Sequence, residues 1–242
     1  MSILKTIVIF SITGIPVIIL IPFGIPLFIM SHLGLRHFTN YILYKFAQGW
    51  ARMVIAITGC TMTVTGREHI PKKGGLCFVS NHVGIFDIIL ALGYSGRPFG
   101  FIAKKELLYL PGINLWIYLL GGFFINRKQP KKAIKTINLG IKRIKAGGSM
   151  LIFPEGTRRK EKGIGPFLPG SLKLATQSEA IIVPMAIRGS YDVFEKEWRV
   201  NAAPVSLSFL PPVNPAEMPP ADRKMILAEK LHNDIAEALE QQ

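Results

Sequence analysis

Residues 76–87 read LCFVSNHVGIFD, an apolar run followed by a histidine and, five positions after it, an aspartate. The run from Leu76 to Ser80 has the composition of a buried strand. Histidine is the side chain best suited to exchange a proton near neutral pH. A carboxylate bonded to its far ring nitrogen would fix the tautomer and stabilise the imidazolium. His82 and Asp87 therefore predict a general base and a partner that orients it.

The five-residue spacing also predicts local structure. Five residues on a regular helix rotate by about 500°, so His82 and Asp87 would not share one helical face. We expect His82 in the loop after the strand and Asp87 in the first turn of a helix, where the helix dipole favours an acid. Gly84 supplies the backbone freedom for that loop. On this motif alone, a buried histidine beside an unrelated helix-terminal aspartate remains an alternative.

A second motif, FPEGTR at residues 153–158, follows another apolar run, 149–152. Its composition predicts a turn that ends a strand, with Gly156 at positive φ. A turn alone does not account for the cations directly behind it, Arg158 and Arg159.

With these two motifs in this order and about 70 residues apart, the sequence resembles the glycerolipid acyltransferases, most closely the bacterial 1-acyl-sn-glycerol-3-phosphate acyltransferases. The resemblance covers about residues 60 to 210. It extends to AKKEL at 103–107, GFFINR at 122–127 and VPMAI at 183–187. One departure is Asn126, where the family often carries an acidic residue before the arginine.

The resemblance implies transfer of a fatty acyl group from an acyl thioester, either acyl carrier protein or coenzyme A, to the 2-hydroxyl of 1-acyl-sn-glycerol 3-phosphate, giving phosphatidic acid. It implies no metal and no cofactor besides the thioester co-substrate. His82 would act as general base and Asp87 would orient it. Backbone N–H groups near the helix that starts after Val83 would stabilise the tetrahedral intermediate.

Two further sets of residues are expected to bind the acceptor lipid. Its phosphate would be held by a group of cations: Lys105, Arg127, Arg158 and Arg159. The acceptor pocket would be shaped by the turn after the strand: Glu155, Gly156 and Thr157. The Glu155 carboxylate accepts hydrogen bonds either from its own turn or from the glycerol, and the sequence does not separate the two.

The N-terminal segment has 30 residues between Lys5 and Arg36 without any Asp, Glu, Lys or Arg. A spanning helix needs roughly 20 apolar residues. Five helix-weakening residues disfavour a straight helix here: Gly14, Pro16, Pro22, Gly24 and Pro26. Residues 39–58 then interleave aromatic and basic side chains with apolar ones, a pattern typical of the membrane–water boundary.

We therefore predict that residues 1–58 form a hydrophobic two-helix anchor embedded in one leaflet, and that residues 59–242 form the catalytic domain. A single membrane span by the first helix is the alternative. The resemblance implies a location on the cytoplasmic face of the cell membrane.

The formal net charge is +14, and residues 101–173 carry 15 Lys and Arg against three acids. Surfaces of one sign indicate an oppositely charged partner. An anionic membrane surface, an acidic carrier protein and nucleic acid all meet that requirement. The apolar N-terminus favours the first two, and no segment resembles a nucleic-acid-binding module.

Strand-like and helix-like stretches alternate after the anchor, which predicts an α/β fold with a largely parallel sheet flanked by helices. The predicted strands are 61–65, 76–80, 99–103, 123–126, 150–153, 181–187 and 205–209. Helices are predicted to begin near Ile85, Leu107, Lys131 and Ser171, and to cover Asp222 to Leu239. Ligands on such sheets collect at the carboxyl ends of strands, where the predicted site residues lie.

Two alternative functions remain. The same chemistry would serve another acceptor, such as glycerol 3-phosphate, a lysophospholipid or a lyso-aminolipid. A non-catalytic, basic, membrane-attached binding protein would account for the charge and the N-terminus, but it gives no reason for His82, Asp87 and the second motif.

Overall fold

The structure is a computed structural model that describes residues 3–159, 163–219 and 223–241. A seven-stranded sheet forms its centre, in the order β1-β7-β6-β2-β5-β3-β4. Every neighbouring pair is parallel except β6 with β7. The strands are β1 (Thr61–Thr65), β2 (Leu76–Ser80), β3 (Gly100–Lys104), β4 (Phe123–Ile125), β5 (Met150–Ile152), β6 (Ile181–Arg188) and β7 (Pro204–Phe209).

The predicted strands are confirmed, with ends that differ by at most one residue. These strands are recognisable in the sequence as continuous apolar runs, because strands in the middle of a parallel sheet are covered on both faces. All residues of β2 and β5 are buried. The prediction of a largely parallel α/β sheet is therefore confirmed.

Nine α-helices surround the sheet in the described residues. They are α1 (Ile3–Ile19), α2 (Ile21–His32), α3 (Arg36–Thr58), α4 (Phe86–Tyr94), α5 (Ile113–Leu119), α6 (Pro130–Lys145), α7 (Lys173–Ser178), α8 (Ser190–Val193) and α9 (Arg223–Glu240). Side chains of α3, α4 and α5 share one hydrophobic core with the sheet, and those of α6, α7 and α9 share a second. The sheet separates these two cores.

Two helix predictions need correction. The helix expected from Leu107 is a 3-10 turn, Lys105–Tyr109, followed by α5 from Ile113. Pro111 interrupts this segment, since proline disfavours helical backbone at the residue before it. The helix expected from Ser171 begins as a 3-10 turn, Pro169–Leu172, and becomes regular at Lys173. Asp222, the predicted first residue of the last helix, lies outside the described residues.

The N-terminal segment folds as three helices, whereas two were predicted. The first apolar stretch breaks at Leu20, just before Pro22, and α1 and α2 meet there at a 47° bend. Within the described residues no single helix is long and apolar enough to cross a membrane, but this bent pair meets the length and composition criteria together. The indole N–H groups of Trp50 and Trp116 donate to carbonyls of α1 and tie it to α3 and α5.

Gly100, at the start of β3, tests how tightly the sheet packs against its connections. A Cβ built there would stand 2.0 Å from the carbonyl oxygen of Gly121, a backbone atom. Gly100→Ala should therefore lower the free energy of unfolding by about 2 kcal/mol or more. Gly49→Ala is the control, because a Cβ on that helical glycine meets no atom within 4 Å and alanine favours helix by about 1 kcal/mol. Denaturant unfolding of both variants measures the difference, and equal stabilities would contradict the packing argument.

Candidate active site

His82 and Asp87 are in direct contact, with Nδ1 2.7 Å from Oδ2. His82 lies in the loop after β2, and Asp87 is the second residue of α4. This is the local arrangement that their spacing predicted. The Asp87 carboxylate is fully buried, whereas 16% of the His82 side chain is exposed. The ring therefore has one shielded nitrogen and one that faces outward from the pair.

The Asp87 carboxylate accepts four hydrogen bonds. Oδ2 accepts from His82 Nδ1, from Val83 N–H at 2.8 Å and from Gly84 N–H at 2.9 Å. Oδ1 accepts from the hydroxyl of Ser190. A carboxylate surrounded by donors requires a proton on Nδ1 of the histidine. The neutral ring then carries its lone pair on Nε2, the nitrogen available as a base.

Residues of the second motif hold the His82 loop in place. The Phe153 ring stacks on the imidazole, with centroids 4.0 Å apart and planes 17° apart. His82 N–H donates to Glu155 Oε1 at 2.8 Å, and the carbonyl of His82 accepts from Arg159 N–H at 3.0 Å. Two motifs that are distant in sequence thus form one unit.

Glu155 faces the protein's own backbone. Its second oxygen, Oε2, accepts from Gly165 N–H at 3.0 Å. Burial raises the pKa of Glu155, and the hydrogen bonds from His82 and Gly165 oppose that rise. The donors are backbone N–H groups, but they belong to the His82 loop and to Gly165 and not to the turn that contains Glu155. Gly156 has φ +78°, which confirms the predicted positive φ.

A surface cavity of about 400 Å³ lies next to this unit. Its lining residues are Lys104, Thr157, Arg158, Arg159, Tyr191, Glu195 and Trp198. Three of the predicted site residues therefore share one cavity, and Lys104 joins them.

The other two predicted phosphate ligands do not line this cavity. Arg127 lies beside the turn, with Nη1 3.8 Å from where a Cβ on Gly156 would stand. Lys105 begins a 3-10 turn, and its ammonium lies 5.9 Å from the centroid of the Tyr109 ring. Side chains alternate along a strand, so the last residue of β3 and the one after it point differently. The phosphate-binding roles of Lys105 and Arg127 stay predictions.

The expected oxyanion donors are already engaged. The N–H groups of Val83 and Gly84 bond Asp87, and Ile85 N–H bonds Glu195 Oε1 at 2.6 Å. The start of α4 thus supports the His82–Asp87 pair and does not present these amides to a ligand.

Ser190 and Glu195 are site residues that the sequence did not reveal. Both follow β6 and so lie at the strand-end edge that carries His82. Their position after a strand end was the one available signal, and neither belongs to a motif. In the described part of the chain no group of three or more His, Cys, Asp and Glu residues is placed to hold a metal ion.

Comparison with known proteins agrees with this geometry. The sequence model of the Acyltransferase family matches residues 61–188, more than half of the chain. The chain belongs to the Acyltransferase family. Residues 61–188 begin with β1 and end with β6, so the matched part contains both motifs and every predicted site residue.

Relatives of this chain include two bacterial proteins named 1-acyl-sn-glycerol-3-phosphate acyltransferase. The protein of Borreliella burgdorferi is 32% identical over 146 residues, which cover 60% of this chain and 58% of that protein. The protein of Pseudomonas aeruginosa is 34% identical over 149 residues, covering 59% and 57%. The match thus spans less than two thirds of either relative.

A solved structure extends the likeness to nearly the whole chain. The crystal structure of the 1-acyl-sn-glycerophosphate (LPA) acyltransferase PlsC from Thermotoga maritima superposes with a TM-score of 0.83 at 26% sequence identity. The superposition covers 98% of this chain and 94% of PlsC. It therefore includes the three N-terminal helices.

Glu195 is expected to make the stability of this protein depend on pH. Burial raises the pKa of Glu195, the Ile85 N–H and Arg158 oppose the rise, and the charge of Asp87 adds to it. A raised pKa in the folded state means that the stability from this group is complete below its ordinary value of about 4.3. That stability is lost as the pH rises through the folded-state value.

Glu195→Gln should remove this dependence, because glutamine does not titrate. As the pH rises from about 4 to about 7, the thermal unfolding midpoint of the wild type should fall relative to that of the variant. Unfolding followed by circular dichroism at each pH measures the difference. A difference that is constant across the range would contradict the prediction.

Proposed function

We propose that this protein transfers a fatty acyl group from an acyl thioester to the 2-hydroxyl of a 1-acyl-sn-glycerol 3-phosphate, giving phosphatidic acid. The observation that carries the proposal is the fourfold hydrogen bonding of Asp87, which leaves His82 Nε2 as an oriented acceptor. An alcohol has a pKa far above neutrality, so its attack on a thioester needs such a base. The names of the relatives support the choice of acceptor.

In this mechanism His82 Nε2 removes the proton of the 2-hydroxyl as its oxygen attacks the thioester carbonyl. The imidazolium that forms is stabilised by Asp87, and it returns the proton to the departing thiolate. A direct transfer needs no acyl-enzyme. The hydroxyl of Ser190 donates to Asp87 Oδ1, so in this mechanism Ser190 supports the pair and does not act as a nucleophile.

The cations of the cavity support a phosphomonoester acceptor. Lys104, Arg158 and Arg159 line it together with one carboxylate, Glu195, so these four side chains carry a net charge of +2. A phosphomonoester carries about −1.5 to −2 charge near pH 7, which matches that value. A phosphodiester headgroup carries a single negative charge and would neutralise less of the positive charge of the cavity. Both thioester donors carry an anionic phosphopantetheine, and the positive charge suits either.

An acyl-transfer assay with full-length purified protein tests this function. We expect phosphatidic acid from 1-acyl-sn-glycerol 3-phosphate, detected by mass spectrometry, in preference to products of glycerol 3-phosphate or lysophosphatidylcholine, with acyl-coenzyme A and acyl carrier protein supplied as donors. His82→Ala should lower kcat by about 10²–10⁴-fold. Absence of acyl transfer to a phosphomonoester, or full activity of the histidine variant, would sink the proposal.

We further propose that α1 and α2 lie in one leaflet at the cytoplasmic face of the membrane. Both helices expose large apolar side chains to the surroundings, among them Leu4 at 70% and Phe23 at 66%. Burying such a side chain in lipid is favourable by about 1.5–3 kcal/mol. The aliphatic surface of the bent pair would therefore attach the protein without a full span.

Two acidic substitutions test this attachment while leaving the core intact. Leu4→Glu combined with Phe23→Glu should lower the partition coefficient onto phospholipid vesicles by about 100-fold, since each change removes roughly 1.5 kcal/mol or more of transfer free energy. Met225→Glu is the matched control, because that side chain is 69% exposed on α9. Co-sedimentation measures binding, and equal retention of the double variant and the control would show that attachment does not use α1 and α2.

A further inference from the structure

Glu195 joins the loop of the catalytic histidine to a cation of the cavity. One of its oxygens, Oε1, accepts from Ile85 N–H at 2.6 Å and from Arg158 Nη1 at 3.1 Å. Its side chain is 9% exposed, whereas that of Arg158 is 43% exposed. A buried carboxylate thus holds the inner part of a half-exposed guanidinium.

The same loop shows a regular pattern of amide-to-carboxylate bonds. Four successive N–H groups each donate to a carboxylate: His82 to Glu155, Val83 and Gly84 to Asp87, and Ile85 to Glu195. Asp87 and Glu155 belong to the two motifs of the family resemblance. Glu195 lies outside both and performs the same kind of contact.

The second oxygen of Glu195 helps to decide which of its two contacts, with Ile85 or with Arg158, requires a carboxylate. Oε2 is buried and has no hydrogen-bond partner among the described residues. It lies 2.9 Å from where a Cβ on Gly84 would stand, against the backbone of the loop. A glutamine oxygen would accept from Ile85 equally well, and an unpaired buried carboxylate oxygen is unfavourable. The property that only glutamate supplies at this position is a negative charge facing Arg158.

We propose that Glu195 is a positioning residue that holds the Arg158 guanidinium at the cavity wall, oriented to receive the acceptor's phosphate. The proposal rests on the proposed function. Nη1 is used by Glu195, which leaves Nη2 and Nε of Arg158 as donors toward the anion. Without the carboxylate, this half-exposed side chain occupies several rotamers, and binding must then order it.

A double-mutant cycle tests the coupling. Glu195→Gln should raise the KM for 1-acyl-sn-glycerol 3-phosphate about five-fold, the range expected for ordering one long side chain. The KM for the thioester should stay unchanged. In an Arg158→Ala background the same substitution should have no further effect on the acceptor KM, because the group it acts through is gone. Glu195→Met, of similar length and without charge, is a second variant with the same expected rise should the glutamine variant fail to fold.

Glu197→Gln is the matched control, since it removes the same charge two residues away. Glu197 is exposed and bonds Asn201 at 3.2 Å, with no contact to Arg158. Its acceptor KM should equal that of the wild type. A purely structural role for Glu195 predicts additive effects in the cycle and a change in kcat with the acceptor KM intact. That result, or an acceptor KM for Glu195→Gln that is equal to or below the wild-type value, overturns the inference.

Calorimetric binding of the water-soluble 1-hexanoyl-sn-glycerol 3-phosphate, with no donor present, separates this inference from the proposed function. Binding by the wild type without turnover in the transfer assay would reject the function, and the Kd values across the cycle would still decide the role of Glu195. Active transfer with an additive cycle would reject the role of Glu195 alone. Absence of phosphomonoester binding would reject both.

Discussion

The carboxylate of Asp87 is the group on which the active-site geometry depends. A buried charge is unfavourable unless donors replace the water it has lost. Here an imidazole, two backbone amides and a serine hydroxyl do so. These contacts bend the chain between β2 and α4 and fix the tautomer of His82. The hydrogen bonds to this one buried anion therefore determine both the path of the backbone and which ring nitrogen of His82 carries the proton.

The two motifs act as parts of one structure. The first supplies His82 and Asp87, and the second supplies a stacked ring, a carboxylate and a backbone N–H that hold the His82 loop in place. Parallel strands make this possible, because β2 and β5 are neighbours and end at the same edge of the sheet. Residues more than 70 positions apart in sequence therefore meet just after the ends of these two strands.

The sequence predicted the sheet and the contact between His82 and Asp87 well, for physical reasons that are local. An apolar run such as Leu76–Ser80 indicates a buried strand, and a contact between His82 and Asp87 at this spacing requires a loop followed by a helix.

The positions of cations at strand ends were less predictable. Lys104 and Lys105 are adjacent in sequence, and only the pleat and the 3-10 turn after it decide which one lines the cavity. Ser190 and Glu195 were missed because their partners near His82, namely Asp87 and Ile85, are 103 and 110 residues away and no local pattern marks them. The exact position of the break at Leu20 was not predicted, although Pro22 and its neighbours did argue against a straight helix.

The reversed direction of β7 has a consequence for divergence among related enzymes. After most strands of a parallel sheet, the chain must return along the full height of the sheet before it pairs again. Because β7 runs antiparallel to β6, the connection between them leaves and re-enters at one edge, the edge of the cavity. The connection therefore needs no crossover, and its buried residues Ser190, Val193 and Val200 fix it to Asp87 and to the core. Tyr191 and Trp198 of this connection line the cavity, so substitutions of these two residues would change the shape of the cavity without altering the pairing of β6 with β7.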